Sequence, residues 1–316
     1  MIVTVTLNPA LDLTYAVDAL VPHGTHRVAA VTERPGGKGL NVARVLHALG
    51  EPVLATGLLG GSTGDRVAQL LAAEGVGASF TPIGGETRRT VAVVDAGDAT
   101  GFWEPGPTVT AAEWARFTAD FRGLLATATV VTLSGSLPPG VPIDGYANLI
   151  ADAAAAGVPT LLDTSGPALR HGLAAGPALA KPNDDELSAL LPERAAGRDG
   201  LVDAVRSLAT GPVVVSRGAA GLLAVAGDDV WECAPPVAVR GNPTGAGDAC
   251  VAALARGLRD HTAWPELLAD AVALAAAAVA APAAGDFDPE TYRSTRATAS
   301  VVAASPAGGT RARSHR

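Results

Sequence analysis

The chain has 316 residues, a formal net charge of −8 and two cysteines, Cys233 and Cys250. This length allows one large α/β domain or two smaller ones. The negative charge argues against nucleic acid as the main partner, and two cysteines argue against a disulfide framework and favour a reducing, cytoplasmic compartment. An anionic ligand would therefore be bound by a few placed Arg, Lys and backbone amide groups.

Short strand-like runs alternate with helical patterns, which predicts an α/β fold of three layers, with a mostly parallel sheet between helices. Predicted strands lie at residues 1–7, 53–57, 130–133, 159–162 and 213–216. The first lacks the features of a signal peptide, so we expect a strand there. Predicted helices, from apolar spacing or capping patterns, lie at 41–49, 65–74, about 110–126, 144–156, 184–191 and 249–258. A last one at 269–284 contains Asp270 and Pro282 and is expected to be a buried helix that does not span a membrane.

Two regions break this alternation, because strand patterns follow each other there without a helix. These are residues 12–17 with 27–32, and 89–95 with 100–103. We expect them to form a small β lid, at about 12–32 and 88–104, over the carboxyl edge of the main sheet. Residues 1–290, with these lid excursions, are predicted to form a single domain, and residues 293–316 are expected to be a disordered tail.

The first glycine-rich motif is Gly-Gly-Lys-Gly-Leu-Asn at residues 36–41, at the start of a predicted helix. Glycines such as Gly37 allow close backbone approach to a ligand, Lys38 adds a positive charge, and Asn41 can both donate to and accept from hydroxyl groups. The alternative interpretation is a glycine-rich turn that begins a helix. Asp12 follows the first strand and could hold sugar hydroxyls or belong to an ordinary turn. Arg27 and Arg88 lie on the two lid excursions, where surface arginines are usually solvated.

Three further motifs directly follow predicted strands or begin a helix. Residues 134–140 could line a ligand site at a strand end or form a proline-terminated loop. In the stretch 181–186, Asn183 and Glu186 are three residues apart, which suits either a hydrated Mg²⁺ ion that carries nucleotide phosphates or a helix capping box. Residues 216–221 could bind phosphates through backbone amides or form a tight turn between two strands.

The last motif, Asn-Pro-Thr-Gly-Ala-Gly-Asp at residues 242–248, is the most informative, because it leads straight into a predicted apolar helix. Glycines before a helix let backbone N–H groups converge on an anion. Asp248 would repel a phosphate, but it suits a base that takes a proton from an attacking hydroxyl. An anion hole beside a base is what phosphoryl transfer to an alcohol requires.

Together these motifs resemble those of the PfkB (ribokinase-like) carbohydrate kinases, in the branch of 1-phosphofructokinase and tagatose-6-phosphate kinase. The resemblance runs from Met1 to about Gly285 and includes Asn8-Pro9 with Asp12 and the motifs at 36–41, 134–140, 181–186 and 245–248. Three departures are visible: Arg217 replaces an apolar residue, Ala249 replaces a common Ser, and Pro243-Thr244 is more typical of the tagatose-6-phosphate enzymes.

The resemblance implies ATP, Mg²⁺ and a lid that often mediates dimers, so a homodimer through the lid is expected. It implies Asp248 as the base, with Gly245, Ala246 and Gly247 as the anion hole. The residues implied for sugar hydroxyls are Asp12, Gly37 and Asn41, and those implied for the substrate's own phosphate are Arg27, Lys38 and Arg88. The residues implied for the nucleotide and its metal are Lys181, Asn183, Glu186, Ser216 and Gly218.

The expected activity is phosphorylation of a primary hydroxyl of a ketohexose monophosphate, with fructose 1-phosphate as substrate. Tagatose 6-phosphate is the first alternative, because both sugars carry a phosphate at one end and a primary hydroxyl at the other. Fructose 6-phosphate is a further candidate, although Lys38 disfavours it, since 6-phosphofructokinases of this family tend to have Gly there. Two different functions stay open beside these: a ribose or nucleoside kinase, and a non-catalytic sugar-phosphate-binding regulator.

Overall fold

The computed structural model describes residues 1–96 and 99–304. The strands are β1 (Ile2–Thr6), β2 (Ala10–Ala16), β3 (Ala30–Gly36), β4 (Val53–Leu59), β5 (Ala78–Pro82), β6 (Arg88–Val94), β7 (Ala99–Trp103), β8 (Val130–Ser134), β9 (Thr160–Asp163), β10 (Leu179–Ala180), β11 (Val213–Ser216), β12 (Leu222–Ala226), β13 (Asp229–Ala234) and β14 (Ser300–Ala304). The helices are α1 (Lys38–Ala48), α2 (Gly61–Ala73), α3 (Ala111–Leu125), α4 (Gly145–Ala155), α5 (Gly166–Ala174), α6 (Asp184–Ser188), α7 (Gly197–Leu208), α8 (Ala246–Arg259), α9 (Trp264–Ala280) and α10 (Pro289–Thr298).

Ten strands form one large sheet in the order β14-β13-β12-β11-β10-β9-β8-β1-β4-β5. The strands from β5 to β11 in this order are parallel, and β12, β13 and β14 are added antiparallel. Alternation along β1 explains why both faces are covered: Val3 and Val5 pack in a core with α3 and α4, whereas Ile2 packs in a second core with α1, α8 and α9. This is the three-layer α/β architecture that the sequence predicts.

The four lid strands form a separate sheet in the order β3-β2-β6-β7. Two antiparallel hairpins are joined by the parallel pair β2 and β6. Leu11 packs with Leu40 and Val67 in a third core, which attaches this sheet to α1 and α2. Asp12 lies opposite Thr90 and Arg34, so these three side chains share one face of the sheet.

The carboxyl ends of the parallel strands lie at one edge of the large sheet, and several of the predicted motifs lie at this edge. Asp163 ends β9, Lys181 follows β10, and Ser216 ends β11. Asn183 forms an isolated parallel bridge with Ser216, which continues the sheet into the motif at 181–186. Ligand sites of open α/β sheets lie at such an edge.

The predicted disorder from residue 293 is wrong for residues 293–304. The Asp288 side chain accepts a hydrogen bond from the Thr291 amide at 2.7 Å and so caps α10, and the Tyr292 hydroxyl donates to Asp270 at 2.5 Å. Strand β14 then pairs with β13, which would otherwise present an unpaired edge. Residues 305–316, and residues 97–98 of the expected lid, lie outside the described residues.

The predicted helix at 269–284 corresponds to α9, which ends at Ala280 before Pro282 and is buried along most of its length. Within the described ranges, no helix is long and apolar enough to cross a membrane.

Candidate active site

Asp248 lies in the first turn of α8 and is buried. The helix is preceded by Gly245, which has a left-handed conformation with φ of 87°. A side chain there would be strained, and its Cβ would approach Ala284 to 2.9 Å. The motif at 242–248 therefore adopts the glycine turn and helix start that the sequence predicts.

The surroundings of Asp248 shift the pKa of its carboxyl group toward neutral pH. The pKa of Asp248 is raised to about 7, because burial and then the charge of Asp163 raise it more than the hydrogen bond from Asn41 and the charges of Lys38 and Lys181 lower it. Asn41 Nδ2 donates to Asp248 Oδ2 at 2.8 Å. A carboxyl group with this pKa can both accept and release a proton near neutral pH.

The predicted anion hole has the backbone geometry of a helix start. Amide groups in the first turn of a helix have no intrahelical acceptor, and the helix dipole favours negative charge there. The amide of Ala246 already donates to the Pro243 carbonyl at 3.2 Å, so we expect the next amides, beginning with Gly247, to face an anion. The Lys181 ammonium lies 3.5 Å from the position that a Cβ would take on Gly247, and it adds positive charge to this end of the helix.

Asp163, which sequence reasoning missed, is the centre of a cluster of charged side chains at the strand ends. Its Oδ1 lies 3.3 Å from Lys38 Nζ and 3.4 Å from Lys181 Nζ. Lys38 Nζ also lies 3.6 Å from Glu186 Oε1. Although burial lowers the pKa of Lys38, the charges of Asp163, Glu186 and Asp248 outweigh it and raise that pKa above its ordinary value. We call Lys38, Asp163, Lys181 and Glu186 the charged cluster.

Asn183 and Glu186 form the capping box that was the alternative interpretation of their spacing. Asn183 Oδ1 accepts from the Glu186 amide at 2.7 Å, and Glu186 Oε2 accepts from the Asn183 amide at 2.9 Å. The cap uses one carboxylate oxygen of Glu186 and leaves Oε1 near Lys38. Glu186 can therefore cap α6 and still present an oxygen to a ligand, whereas the amide oxygen of Asn183 is already occupied.

Ser216 and Gly218 lie at the tight turn between β11 and β12, where a short 3₁₀ helix spans Gly218–Ala220. Arg217, at the start of this turn, donates from Nη2 to Glu232 Oε2 at 2.8 Å and to the Ala220 carbonyl at 3.3 Å. Arg198 on α7 lies 2.8 Å from the other oxygen of Glu232. The arginine that departs from the resemblance thus ties the turn to β13.

The lid sheet carries a second group of polar side chains. Thr90 Oγ1 donates a short hydrogen bond to Asp12 Oδ1, and burial raises the pKa of Asp12. Arg88 donates to the Asn8 carbonyl at 3.1 Å and to the Glu104 carbonyl at 3.2 Å. Asn8 in turn donates to Ser136 Oγ at 3.1 Å, which brings the motif at 134–140 to the same place.

Most predicted site residues line one cleft of about 1050 Å³ between the strand ends, α8 and α9. It contains Lys38, Asn41, Lys181, Asn183, Glu186, Ser216, Gly218 and residues 245–248, together with Asp163, Arg240 and Cys250. Asp12, Gly37 and Arg88 do not line this cleft, and Arg27 is exposed in the connection between β2 and β3. Lys38 and Asn41 therefore share this cleft with the expected nucleotide residues, whereas Arg27 and Arg88 are not among the residues that line it.

Known proteins match this chain over nearly its whole length. The family model of the pfkB family carbohydrate kinases matches residues 5–291. The tetrameric inhibited form of phosphofructokinase-2 from Escherichia coli is 32% identical, with a TM-score of 0.87, and the match covers 94% of this chain and 98% of that one. The same enzyme in complex with fructose-6-phosphate is 31% identical, with a TM-score of 0.86 and the same coverage. A protein of Thermotoga maritima described as a "possible 1-phosphofructokinase" is 26% identical, with a TM-score of 0.86, and the match covers 96% of this chain and 99% of that one.

Proposed function

The chain belongs to the pfkB family of carbohydrate kinases, which transfer a phosphoryl group to a sugar hydroxyl, and we propose that it is an ATP-dependent hexose-phosphate kinase. Its acceptor is a ketohexose monophosphate with a free primary hydroxyl, and the substrate we favour is fructose 1-phosphate, which gives fructose 1,6-bisphosphate. One observation carries the proposal: the buried carboxyl group of Asp248 lies at the start of α8, in the same cleft as the charged cluster.

The transfer step follows from this arrangement. The acceptor's hydroxyl oxygen forms a bond to the γ-phosphorus of ATP while the bond between that phosphorus and the bridging oxygen breaks, and ADP leaves. Asp248 accepts the proton that the hydroxyl loses, because its pKa of about 7 leaves a large fraction ionised at neutral pH. The amides from Gly247 onward, with Lys181, stabilise the negative charge on the transferred group.

The donor end of the cleft fits ATP and a divalent metal ion, which kinases of this family normally use together. We propose Mg²⁺, which prefers oxygen ligands and keeps several waters. Asp163 is fully buried, yet its Oδ2 has no hydrogen-bond partner among the described residues, and Glu186 Oε1 is not used by the helix cap. These two oxygens would hold a hydrated Mg²⁺, which would supply positive charge to the nucleotide phosphates. Ser216 and Gly218 would contact the nucleotide from the turn after β11.

The lid is proposed to hold the acceptor. Asp12, Gly37 and Asn41 would bind its hydroxyls, and Arg27 and Arg88 its own phosphate. Because Arg27 is exposed, it can contribute only if the lid closes or a second subunit brings it to a site. Closure would also shield the reaction from water, which otherwise hydrolyses ATP.

We further propose a homodimer that pairs through these lids. The lid sheet and the connection before β3 expose several large apolar side chains: Val21, Val28, Val31, Val94, Phe102 and Trp103. Trp103 is 73% exposed and lies opposite Thr90, on the sheet face that carries Asp12. Exposed apolar side chains on a small sheet are a liability unless another chain covers them. A cytoplasmic location is also part of the proposal, since both cysteines are free and buried.

Two other acceptors remain candidates. Fructose 6-phosphate is favoured by the match to Escherichia coli phosphofructokinase-2, which has been solved in complex with that sugar phosphate. Tagatose 6-phosphate presents the same pair of end groups, and Pro243-Thr244 favours it. A ribose or nucleoside kinase would leave Arg27 and Arg88 without a phosphate to bind. A non-catalytic regulator is disfavoured, because such a protein would not need the buried Asp248 and the glycine turn before α8, and the chain has both.

The proposal is tested by measuring ADP release from purified protein with a panel of acceptors. The panel contains fructose 1-phosphate, tagatose 6-phosphate, fructose 6-phosphate, fructose, tagatose and ribose. We expect the highest kcat/KM with fructose 1-phosphate and a lower value with each free sugar. A free sugar that is used better than the sugar phosphates would contradict the proposed class of substrate.

A further inference from the structure

We propose that Lys38 acts on the phosphoryl group that is transferred, and does not bind the phosphate that the acceptor already carries. This inference rests on the proposed kinase function and assigns to one of its cations a role different from that implied by the family resemblance. Its basis is the position of the Lys38 ammonium among the side chains of the charged cluster.

Lys38 is the first residue of α1, and Gly37 before it has φ of 112°, a conformation that favours glycine. This turn directs the lysine toward the strand ends. Its ammonium lies 3.3 Å from Asp163 Oδ1 and 3.6 Å from Glu186 Oε1. Both carboxylates belong to the end of the cleft where the nucleotide and its metal are expected.

The cation at the other end of the site has different neighbours. Arg88 donates to the carbonyls of Asn8 and Glu104, and its charge acts on Asp12. The described contacts of Lys38 include none of these residues. A phosphate held by Arg88 would therefore lie away from the Lys38 ammonium, whereas a γ-phosphoryl group between Asp248 and the metal residues would lie next to it.

The contacts of Lys38 are also loose enough for the ammonium to move to a new partner. Charge-assisted hydrogen bonds between an ammonium and a carboxylate are usually about 2.7–2.9 Å long. Both lysines exceed this length, since Lys181 Nζ lies 3.4 Å from Asp163 Oδ1, but the side chain of Lys38 is 38% exposed and that of Lys181 is 4% exposed. Lys181 is thus a fixed charge beside Asp163, and Lys38 is a cation at the cleft surface that can follow the phosphoryl group during transfer.

This role predicts a particular pattern of kinetic change. Removing one group that stabilises a transition-state charge costs roughly 10²–10³-fold in kcat. Lys38→Met, which keeps the length of the side chain and removes its charge, should lower kcat by about that factor and leave the KM of fructose 1-phosphate nearly unchanged. Because every acceptor receives the same phosphoryl group, the loss in kcat/KM should be equal for fructose 1-phosphate and for free fructose.

The test compares Lys38→Met with Arg88→Met, the control for the acceptor end. Arg88→Met should raise the KM of fructose 1-phosphate and lower kcat/KM for fructose 1-phosphate much more than for fructose. Calorimetry adds a measurement that does not depend on turnover: with Mg²⁺, Lys38→Met should bind a non-hydrolysable ATP analogue at least several-fold more weakly and bind ADP as the wild type does. Thermal unfolding checks that both variants are folded. If Lys38→Met does not fold, Lys38→Arg is used instead and should retain part of kcat with an unchanged KM for the acceptor.

The inference is overturned if Lys38→Met behaves as Arg88→Met is expected to behave, with a higher KM for fructose 1-phosphate and a much larger loss in kcat/KM for fructose 1-phosphate than for fructose. It is also overturned if the variant binds the ATP analogue and ADP as the wild type does and kcat is unchanged. Failure of the proposed function has a different signature, because the wild-type protein would then prefer unphosphorylated acceptors or release no ADP.

Discussion

The hydrogen bond from Asn41 to Asp248 offers a quantitative test of the proposed base. The pKa of Asp248 is raised to about 7, mainly by burial, and this value includes the lowering effect of the hydrogen bond from Asn41 Nδ2, which is 2.8 Å long. Since only the ionised form accepts a proton, kcat/KM should fall by about tenfold for each pH unit below 7. Activity should therefore rise with pH and level off above neutrality.

Removing this hydrogen bond should shift the acidic limb of the pH profile to higher pH. A hydrogen bond to a charged group contributes about 1.5–3 kcal/mol, and one pKa unit corresponds to about 1.4 kcal/mol. Asn41→Leu should thus raise the apparent pKa of the acidic limb by about 1–2 units. The plateau will also fall if Asn41 binds the acceptor, but the position of the limb does not depend on the height of the plateau.

The assay is the pH dependence of kcat/KM for wild type and Asn41→Leu between pH 5 and 9.5, at saturating Mg²⁺ and ATP. Substrate phosphates also titrate near pH 6, and this contribution cancels because the same substrates are used with both proteins. Lys38, Lys181 and Asp163 also act on Asp248 and are unchanged in the variant. A limb at the same pH in both proteins, or a flat wild-type profile, would refute Asp248 as the group that titrates.

Asp248→Asn should lower kcat by roughly 10²–10⁴-fold and leave the KM of the acceptor unchanged. Its thermal stability relative to the wild type should increase as the pH rises from 4 to 8, because only the wild type must then bury a carboxylate. Glu186→Gln should raise the Mg²⁺ concentration needed for activity, whereas Glu113→Gln, which alters a capping box on α3, should change thermal stability alone. Arg217→Leu should raise the KM of ATP and leave that of the sugar phosphate unchanged, because Arg217 braces the turn that lines the cleft. The wild type should sediment as a dimer, and Trp103→Glu should shift it toward the monomer; a monomeric wild type would exclude pairing through the lids. Adding sugar phosphate should slow hydrogen exchange in both lid excursions, and unchanged exchange would exclude closure of the lid.

Much of the fold could be predicted because its strands are continuous apolar runs. The expected strands at 53–57, 130–133 and 159–162 correspond to β4, β8 and β9 within two residues at each end. Strand β5 was missed, because its sequence, Ala-Ser-Phe-Thr-Pro, has neither an apolar run nor a clear alternation. Strand β14 was missed for a different reason: Ser300–Ala304 has little pattern of its own, and its pairing with β13 decides its conformation.

The site was predictable where a motif is local in sequence. The glycine turn before Asp248 needs only the geometry of a helix start, and the structure has that geometry. Asp163 could not be found in this way, because a single carboxylate after a strand has no motif; only the rule that ligands lie at the carboxyl ends of parallel strands points to it. The grouping of Lys38 with Asp163 and Glu186 joins residues that are more than a hundred positions apart, and such a contact is set by the packing of α1 against the sheet.

The central claim is that Asp248 and its helix start transfer a phosphoryl group from ATP to the free primary hydroxyl of a ketohexose monophosphate. The most direct measurement is ³¹P NMR of the products formed from ATP, Mg²⁺ and fructose 1-phosphate, with Asp248→Asn as the control. We expect a second phosphate ester on carbon 6 of the sugar, formed in step with ADP by the wild type and greatly slowed in the variant. ADP formed together with inorganic phosphate and no new ester, or ester formation at the same rate by Asp248→Asn, would contradict the account.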